Sequence, residues 1–155
     1  MSREPQIYRQ YAYLRVTGYG PSDSITKILK ILPDEEWSEG EVWEDKPKGW
    51  RRTFTNWKLN SGLDESAGLN EHIEQLLMRI NRKRQNIMAL HSEYTVKLVC
   101  VSFNLQAFSF ELDFEHQKQL TQFGISIWFD AYSYQDPHEL ISDLRQQLQI
   151  PKIVN

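Results

Sequence analysis

The sequence predicts an α+β fold in which helices pack on one mainly antiparallel sheet. Segments 11–17 and 125–132 alternate apolar and polar residues with the period of a half-buried strand. Segments 25–32 and 69–80 repeat apolar residues at helical spacing. The run Tyr94–Phe103 is apolar on both faces, which is typical of a central strand covered on both sides. We therefore expect the element order β-α-(β)-β-α-β-β-α-β-α.

The composition is that of a single globular domain over residues 1–155. Hydrophobic residues make up 40% and charged residues 25%, which excludes a disordered or collagen-like chain. No apolar stretch approaches the roughly 20 residues that a membrane helix needs, and the polar start Met1–Pro5 argues against a secretory signal. The single Cys100 excludes an internal disulfide framework and suits a reducing, cytoplasmic compartment. A net charge of -3 argues against bulk nucleic-acid coating.

The first strand is predicted to end at Gly18, and Ser22 or Asp23 can cap the helix that follows it. Its apolar positions continue to Leu32, and Pro33 is expected to end the helix because proline disfavours a helical residue before it.

Two short strands and a second helix are predicted next. The strands lie around Val42 and across 51–59, where β-branched and aromatic residues favour extended structure. Asp64 or Ser66 is expected to open the helix, whose apolar stripe continues to Ile80.

The C-terminal third is predicted from turn and capping residues. Segment 104–106 offers a tight return into 108–110, so a hairpin is expected there. Asp113 can cap a short helix that Gly124 closes. In segment 136–139, a cap, a proline and a glutamate stand in the order that begins a last helix.

Six short motifs follow one another in a recognisable order. They are residues 14–18 on the first strand, 25–29 on the first helix, the turn region 33–40, the Trp57–Ser61 strand, the 73–77 stripe, and 124–127 leading to Tyr132. This series resembles a bacterial family known as domain of unknown function 4279. The resemblance covers residues 8–134 and leaves 136–155 as a C-terminal helix and tail. It implies the fold, and it implies no catalytic residue and no agreed activity.

Residue patterns that carry enzymatic chemistry are missing. Cys100 lies mid-strand among aliphatic residues, where a thiol behaves as a small hydrophobe. The four histidines are scattered without metal-ligand spacing, and Gly18–Pro21 lacks the further glycine and the lysine of a phosphate loop. Glu111, Asp113 and Glu115 lie close to His116 in the sequence, but Asp113 is better explained as a helix cap than as a metal ligand. We expect no catalytic, metal or cofactor site; an enzyme with a pocket between sheet and helices is a minor alternative.

Segment 34–45 concentrates acidic and indole side chains. It holds seven acids and no Lys or Arg. The acids are Asp34, Glu35, Glu36, Glu39, Glu41, Glu44 and Asp45, and the tryptophans are Trp37 and Trp43, with Trp50 and Trp57 following. Because indoles favour burial, the segment is too aromatic for a disordered linker, and we expect an ordered surface.

The outward positions of two strands are also aromatic. Tyr11, Tyr13 and Arg15 share one side of the first strand, and Trp128, Asp130 and Tyr132 share one side of a later strand. These residue types are enriched at binding hot spots. Two interpretations stay open: the face binds a partner, or helices cover it.

The leading hypothesis is a non-catalytic protein-binding module, of the immunity type that neutralises a toxin partner by occluding its active site. The acidic, Trp-bearing segment would face a basic surface and speed association. The residues expected to contact the partner are Asp34, Glu35, Glu36, Trp37, Glu39, Glu41, Trp43, Glu44, Asp45, Tyr11, Tyr13, Trp128 and Tyr132.

The alternative hypothesis is a nucleic-acid-associated regulator that uses the basic clusters Lys46–Arg52 and Arg79–Arg84. Against it stands the acidic segment next to the first cluster. A plainer interpretation is that the acidic and basic blocks neutralise each other across a hairpin, with Trp50 and Trp57 packed in the core.

Overall fold

The computed structural model describes residues 9–104, 108–133 and 137–149. Strands and helices mostly alternate along the chain, except that two strands follow the first helix and two helices precede the fourth strand. The elements are β1 (Arg9–Gly18), α1 (Ser22–Leu29), β2 (Glu35–Trp37), β3 (Thr55–Asn60), α2 (Leu69–Ile80), α3 (Arg84–Leu90), β4 (Tyr94–Asn104), α4 (Phe114–Phe123), β5 (Ser126–Ser133) and α5 (Pro137–Leu148). The α+β class predicted from the sequence is confirmed.

The described strands form one five-stranded sheet in the order β2-β3-β1-β4-β5. Neighbouring strands are antiparallel at three of the pairings, whereas β4 and β5 are parallel. A parallel pair needs a crossover connection, and α4 lies in the segment that joins these two strands. The sheet is therefore mixed, although mostly antiparallel as predicted.

One face of the sheet, here called the inner face, carries the core. Ala12, Leu14 and Val16 point to it from β1 and are at most 2% exposed. Buried apolar residues of α1, α2, α3 and α4 belong to the same cluster, and so does Trp57, which is 0% exposed. The opposite side of the sheet is called the outer face, and the alternation predicted for 11–17 places Tyr11, Tyr13 and Arg15 on it.

The prediction of a strand at 108–110 is wrong. Residues 108–113 have no regular structure, and the partner of β4 on that side is β5. The rings of Phe108 and Phe110 instead pack against Phe129, with centroids 6.3 and 5.3 Å apart. Ring packing, rather than a strand ladder, accounts for the aromatic character of this segment. The turn predicted at 104–106 lies largely outside the described residues.

The second helix begins later than predicted. Asp64 and Ser66 form a turn upstream of it, in which the Ser66 amide donates to Asp64 Oδ1 at 2.8 Å. The helix starts at Leu69, and the Gly68 amide donates to the Glu71 carboxylate at 2.9 Å. The acid and hydroxyl side chains therefore stabilise a turn instead of capping the helix. Helix α3 was not predicted at all.

Helix α1 ends before the position predicted from Pro33. Its first residue is Ser22, preceded by Pro21 as N-cap, and neither Ser22 nor Asp23 caps it with a side chain. Lys30 adopts the left-handed conformation with φ 56°, which closes the helix after Leu29.

The predicted ends of α4 are confirmed, whereas the strand predicted around Val42 is not formed. Asp113 accepts from the Glu115 amide at 2.9 Å and Gly124 closes α4 with φ 66°, as predicted. Val42 forms an isolated bridge with Arg51 rather than a strand. The predicted cap Asp136 lies outside the described residues. No helix within the described ranges is long and apolar enough to span a bilayer.

Candidate functional site: a surface hairpin and the outer sheet face

The segment between β2 and β3 folds back on itself as an irregular hairpin. The Gly40 amide donates to the Arg52 carbonyl and the Arg52 amide to the Glu41 carbonyl, both at 2.8 Å. The Trp43 amide donates to the Trp50 carbonyl at 3.0 Å. Because backbone bonds join its two arms, the segment is ordered. We call residues 34–54 the acidic hairpin.

Side-chain bonds attach the base of the acidic hairpin to the rest of the molecule. The Trp37 indole donates to the Phe54 carbonyl at 2.9 Å, and the Glu39 amide donates to Thr55 Oγ1 at 2.9 Å. Ser38 Oγ donates to Ser22 Oγ at 3.0 Å, which links the hairpin to the start of α1. The hairpin therefore has a fixed orientation relative to the sheet and α1.

A guanidinium group lies between two indoles in the acidic hairpin. The Arg52 guanidinium carbon is 4.0 Å from the ring centroid of Trp37 and 4.5 Å from that of Trp43. Lys46 Nζ is 5.1 Å from the same Trp43 ring, and Trp50 meets Trp43 edge-on at 6.5 Å. Cation–π contacts of this kind stabilise a surface segment that has few apolar contacts.

The acidic side chains of the hairpin are exposed. Within the described ranges, the ion pair that involves them is a long one between Glu35 and Lys58, at 3.9 Å. Asp34 accepts a hydrogen bond from the Asn60 amide at 2.7 Å. In the described chain no ion pair joins the acids to the basic residues 46–52, although backbone bonds place the two blocks on facing arms of one hairpin. Arg52 and Lys46 pack on indole rings instead, and the carboxylates are exposed.

The four tryptophans of this region differ in their surroundings. Trp57 is in the core and donates from Nε1 to Thr26 Oγ1 at 3.0 Å. Trp50 is 55% exposed, and Trp37 and Trp43 are half-buried. The interpretation that packed both Trp50 and Trp57 in the core is therefore right for Trp57 and wrong for Trp50, which lies on the hairpin beyond the reach of the sheet.

The aromatic residues predicted on two strands lie on the same outer face, with β4 between the strands. Tyr11 and Tyr13 are half-buried and stacked, with ring centroids 6.3 Å apart. Trp128 and Tyr132, on β5, are 44% and 50% exposed. On β4 between them, Val99 and Val101 are buried although they point outward, because these aromatic neighbours flank them. Side chains of the neighbouring strands therefore contribute to the burial of β4 on this side.

The chain matches a known protein family. A family model described as a domain of unknown function (DUF4279) matches residues 6–134, which is most of the chain. The chain belongs to the DUF4279 family. No curated protein and no solved structure matches the chain. The family resemblance deduced from the sequence motifs is thus confirmed.

The matched DUF4279 region extends from β1 to the end of β5, so it contains the acidic hairpin and the outer face. Helix α5 follows it. The hairpin and the outer face meet at Phe54, whose ring contacts Trp37 edge-on at 5.9 Å and lies 5.6 Å below the Arg15 guanidinium. The two surfaces predicted separately therefore form a continuous region of this DUF4279 domain.

A row of three cations across the DUF4279 sheet was missed by the sequence reasoning. Arg15 on β1 is directly opposite Lys58 on β3 and Lys97 on β4, so the three side chains share the outer face. Lys58 lies 4.1 Å from the Tyr13 ring and Lys97 lies 4.9 Å from the Trp128 ring. The available signal was Lys97 itself, a lone cation at an outward position of the apolar run 94–103.

The two basic clusters of the alternative hypothesis are largely engaged within this DUF4279 domain. In the first, Arg52 is held between indoles, and Arg51 donates to the Gly40 carbonyl at 3.1 Å. In the second, Arg79 donates to the Asn60 carbonyl at 2.7 Å and Arg84 to the Gln122 carbonyl at 3.1 Å. These four arginines therefore connect different parts of the fold.

Reactive side chains of the DUF4279 domain are buried. Cys100 is 1% exposed, and desolvation raises the pKa of its thiol to about 12, so the thiolate is scarcely populated. Ser61 Oγ and His72 Nδ1 are 2.6 Å apart, but both side chains are buried and His72 is 0% exposed. Among the described residues, no three His, Cys, Asp or Glu side chains lie close enough together to hold a metal ion.

Proposed function

We propose that the chain is a non-catalytic protein-binding module and, within that class, a bacterial immunity-type protein that neutralises a toxin partner in the cytoplasm. The observation that carries the proposal is the acidic hairpin. It is ordered by backbone bonds and by the Arg52 stack, yet it presents its carboxylates to water. A fixed acidic surface loses less conformational entropy on binding than a flexible one.

The charge of the hairpin points to a basic partner. Glu36, Glu39, Glu41, Glu44 and Asp45 are exposed and have no ion-pair partner in the described part of the chain. A cationic surface of a nuclease or other toxin would supply the missing opposite charge, and long-range attraction would raise the association rate.

Aromatic residues supply the apolar part of such an interface. Trp50 on the hairpin is 55% exposed, and Trp128 and Tyr132 on the outer face are 44% and 50% exposed. Tryptophan and tyrosine are enriched among the residues that dominate binding energy. In this proposal the partner is attracted by the carboxylates and held by the rings.

The nucleic-acid alternative draws less support from the contacts. Arg51, Arg79 and Arg84 each donate to a carbonyl of the chain, and Arg52 lies over two indole rings. The exposed acids of the hairpin next to the first cluster would also repel a phosphate backbone. Titration with single-stranded and duplex oligonucleotides below physiological salt tests it directly, and salt-dependent binding that Arg79→Gln and Arg84→Gln weaken would favour it.

The protein-binding proposal is tested by capture from the native host with a charge-matched control. The full chain is compared with Glu41→Lys/Glu44→Lys in the hairpin and with Glu74→Lys/Glu111→Lys, which changes two exposed acids elsewhere. We expect one basic partner to be retained by the full chain and by the control, and to be lost with the hairpin variant.

The purified partner then completes the test. We expect its toxic activity to be inhibited by the full chain and by the control variant, and to persist with the hairpin variant. Absence of a stable partner at both low and moderate salt would overturn the proposal, and so would equal inhibition by both variants.

A further inference from the structure

An open groove lies on the outer face, beside the acidic hairpin. It has a volume of about 600 Å³, which falls in the range of sites that hold small ligands. Its floor is formed where β1 ends and β4 begins, by Arg15, Thr17, Thr95 and Lys97. Its lining also includes Phe54, Trp128 and one acid, Glu93, so the two cations outnumber the single carboxylate. Basic, hydroxyl and aromatic groups therefore converge on one space.

The positions of the two cations in the groove, Arg15 and Lys97, destabilise the sheet. Arg15 and Lys97 are directly opposite each other on adjacent strands, and Lys58 continues the row on the other side of Arg15. Like charges at opposite positions of a sheet destabilise it. Within the described ranges neither Arg15 nor Lys97 forms an ion pair. An anion bound between them would relieve the repulsion.

The donors of the groove are oriented before any ligand arrives. Arg15 Nε donates to Asn56 Oδ1 at 2.9 Å, which fixes the guanidinium above Phe54 and leaves its two terminal amino groups for a ligand. Lys97 is held over the Trp128 ring at 4.9 Å. The hydroxyl groups of Thr17 and Thr95 add hydrogen-bonding capacity on the same floor.

We propose that this groove binds a nucleotide, with the phosphate between Arg15 and Lys97 and the base against the aromatic side chains of Phe54 and Trp128. A planar guanidinium pairs with phosphate oxygens in bidentate fashion, and an ammonium group adds a second charge. Aromatic side chains stack with bases of any sequence. The same chemistry is offered by a free mononucleotide and by a single strand, so the experiment separates these two sources.

Binding is measured by calorimetry with four probes: AMP, adenosine, inorganic phosphate and a ten-residue oligodeoxyadenylate. We expect AMP to bind more tightly than either adenosine or phosphate alone, because the groove contacts both parts of the nucleotide. Similar affinity for AMP and the oligonucleotide identifies a free nucleotide as the ligand, whereas tighter binding of the oligonucleotide identifies a single strand.

The variants Arg15→Gln and Lys97→Gln are each expected to weaken AMP binding about tenfold or more, since each removes a charge-assisted contact. Lys118→Gln is the matched control, because Lys118 is also a lysine over a ring, 5.4 Å from Phe114, but on α4. No binding of AMP or oligonucleotide at millimolar concentration would overturn the proposal, as would equal affinity for AMP and phosphate, or equal weakening by Lys118→Gln.

Discussion

The guanidinium carbon of Arg52 lies 4.0 Å from the ring centroid of Trp37, across the base of the acidic hairpin. Trp37 belongs to the edge strand β2, whereas Arg52 belongs to the returning arm of the hairpin. The contact therefore joins the two ends of a segment that otherwise has few buried apolar residues. The order of the acidic hairpin therefore depends in part on this contact.

Arg52→Ala should loosen the acidic hairpin without unfolding the domain. The substitution removes contacts with both Trp37 and Trp43, and each cation–π contact contributes about 0.5–1 kcal/mol at an exposed site. Hydrogen exchange of the Trp43 and Arg52 amides, which bond across the hairpin, should accelerate several-fold. The control is Lys48→Ala, on the same exposed hairpin. Unchanged exchange in Arg52→Ala would contradict the stabilising role of the stack.

Trp57→Phe should lower the free energy of unfolding by about 2 kcal/mol, because it removes buried volume and the hydrogen bond to Thr26. Trp50→Phe is the matched control. Its indole is 55% exposed, so its loss should change stability by less than about 0.5 kcal/mol. Urea denaturation followed by circular dichroism measures both. Equal effects of the two substitutions would show that the burial difference between these indoles has no energetic consequence.

Stability should fall as the pH decreases below 6.5, in part because of His72. The side chain is buried, and desolvation lowers the pKa of its imidazole below the ordinary 6.5. The unfolded chain therefore binds a proton near pH 6.5 that the folded chain does not bind until a lower pH. The free energy of unfolding decreases over that interval, by up to about 1.4 kcal/mol per pH unit.

Urea titrations between pH 5 and pH 7.5 measure this dependence. His72→Gln should have a shallower decrease than the unmodified chain, because glutamine does not titrate. If His72→Gln follows the same pH profile as the unmodified chain, another group is responsible for the decrease.

Gly18→Ala should destabilise the domain by about 1–3 kcal/mol through overpacking. A methyl group at this position would lie 2.7 Å from Tyr94 Cδ1 and 2.8 Å from the Glu93 carbonyl oxygen, and the backbone atom cannot move away easily. Gly68→Ala serves as control for the steric term, since a methyl group there meets no atom within 4 Å. Because Gly68 is the N-cap of α2, where alanine is disfavoured, its substitution should cost at most about 1 kcal/mol. Thermal unfolding compares the two, and an unaltered melting temperature in Gly18→Ala would refute the close approach.

The predictions made from the sequence succeeded where the signal was local. The alternation around Leu14 and the helical stripe around Ile73 identified the faces that are buried, because burial of one face imposes a period of two or of about 3.6. Asp113 and Gly124 marked the ends of α4 correctly, since capping depends on a few adjacent residues.

The predictions failed where the residue types were compatible with more than one local structure. Phe108 and Phe110 have the composition of a strand, but their rings pack on Phe129 instead. Asp64 and Ser66 are good capping residues, but they stabilise a turn before the helix. In both cases the residue type was compatible with two local structures, and contacts made elsewhere decided between them.

The sequence by itself determined the α+β class, the family, the composition of the acidic hairpin and the residues that point away from the core. The tertiary structure alone decided that Lys58, Arg15 and Lys97 stand in one row and that Arg52 lies between two indoles. The physical reason is that periodicity and capping act within a few residues along the chain. Strand order and register, in contrast, depend on how all the apolar faces are buried together.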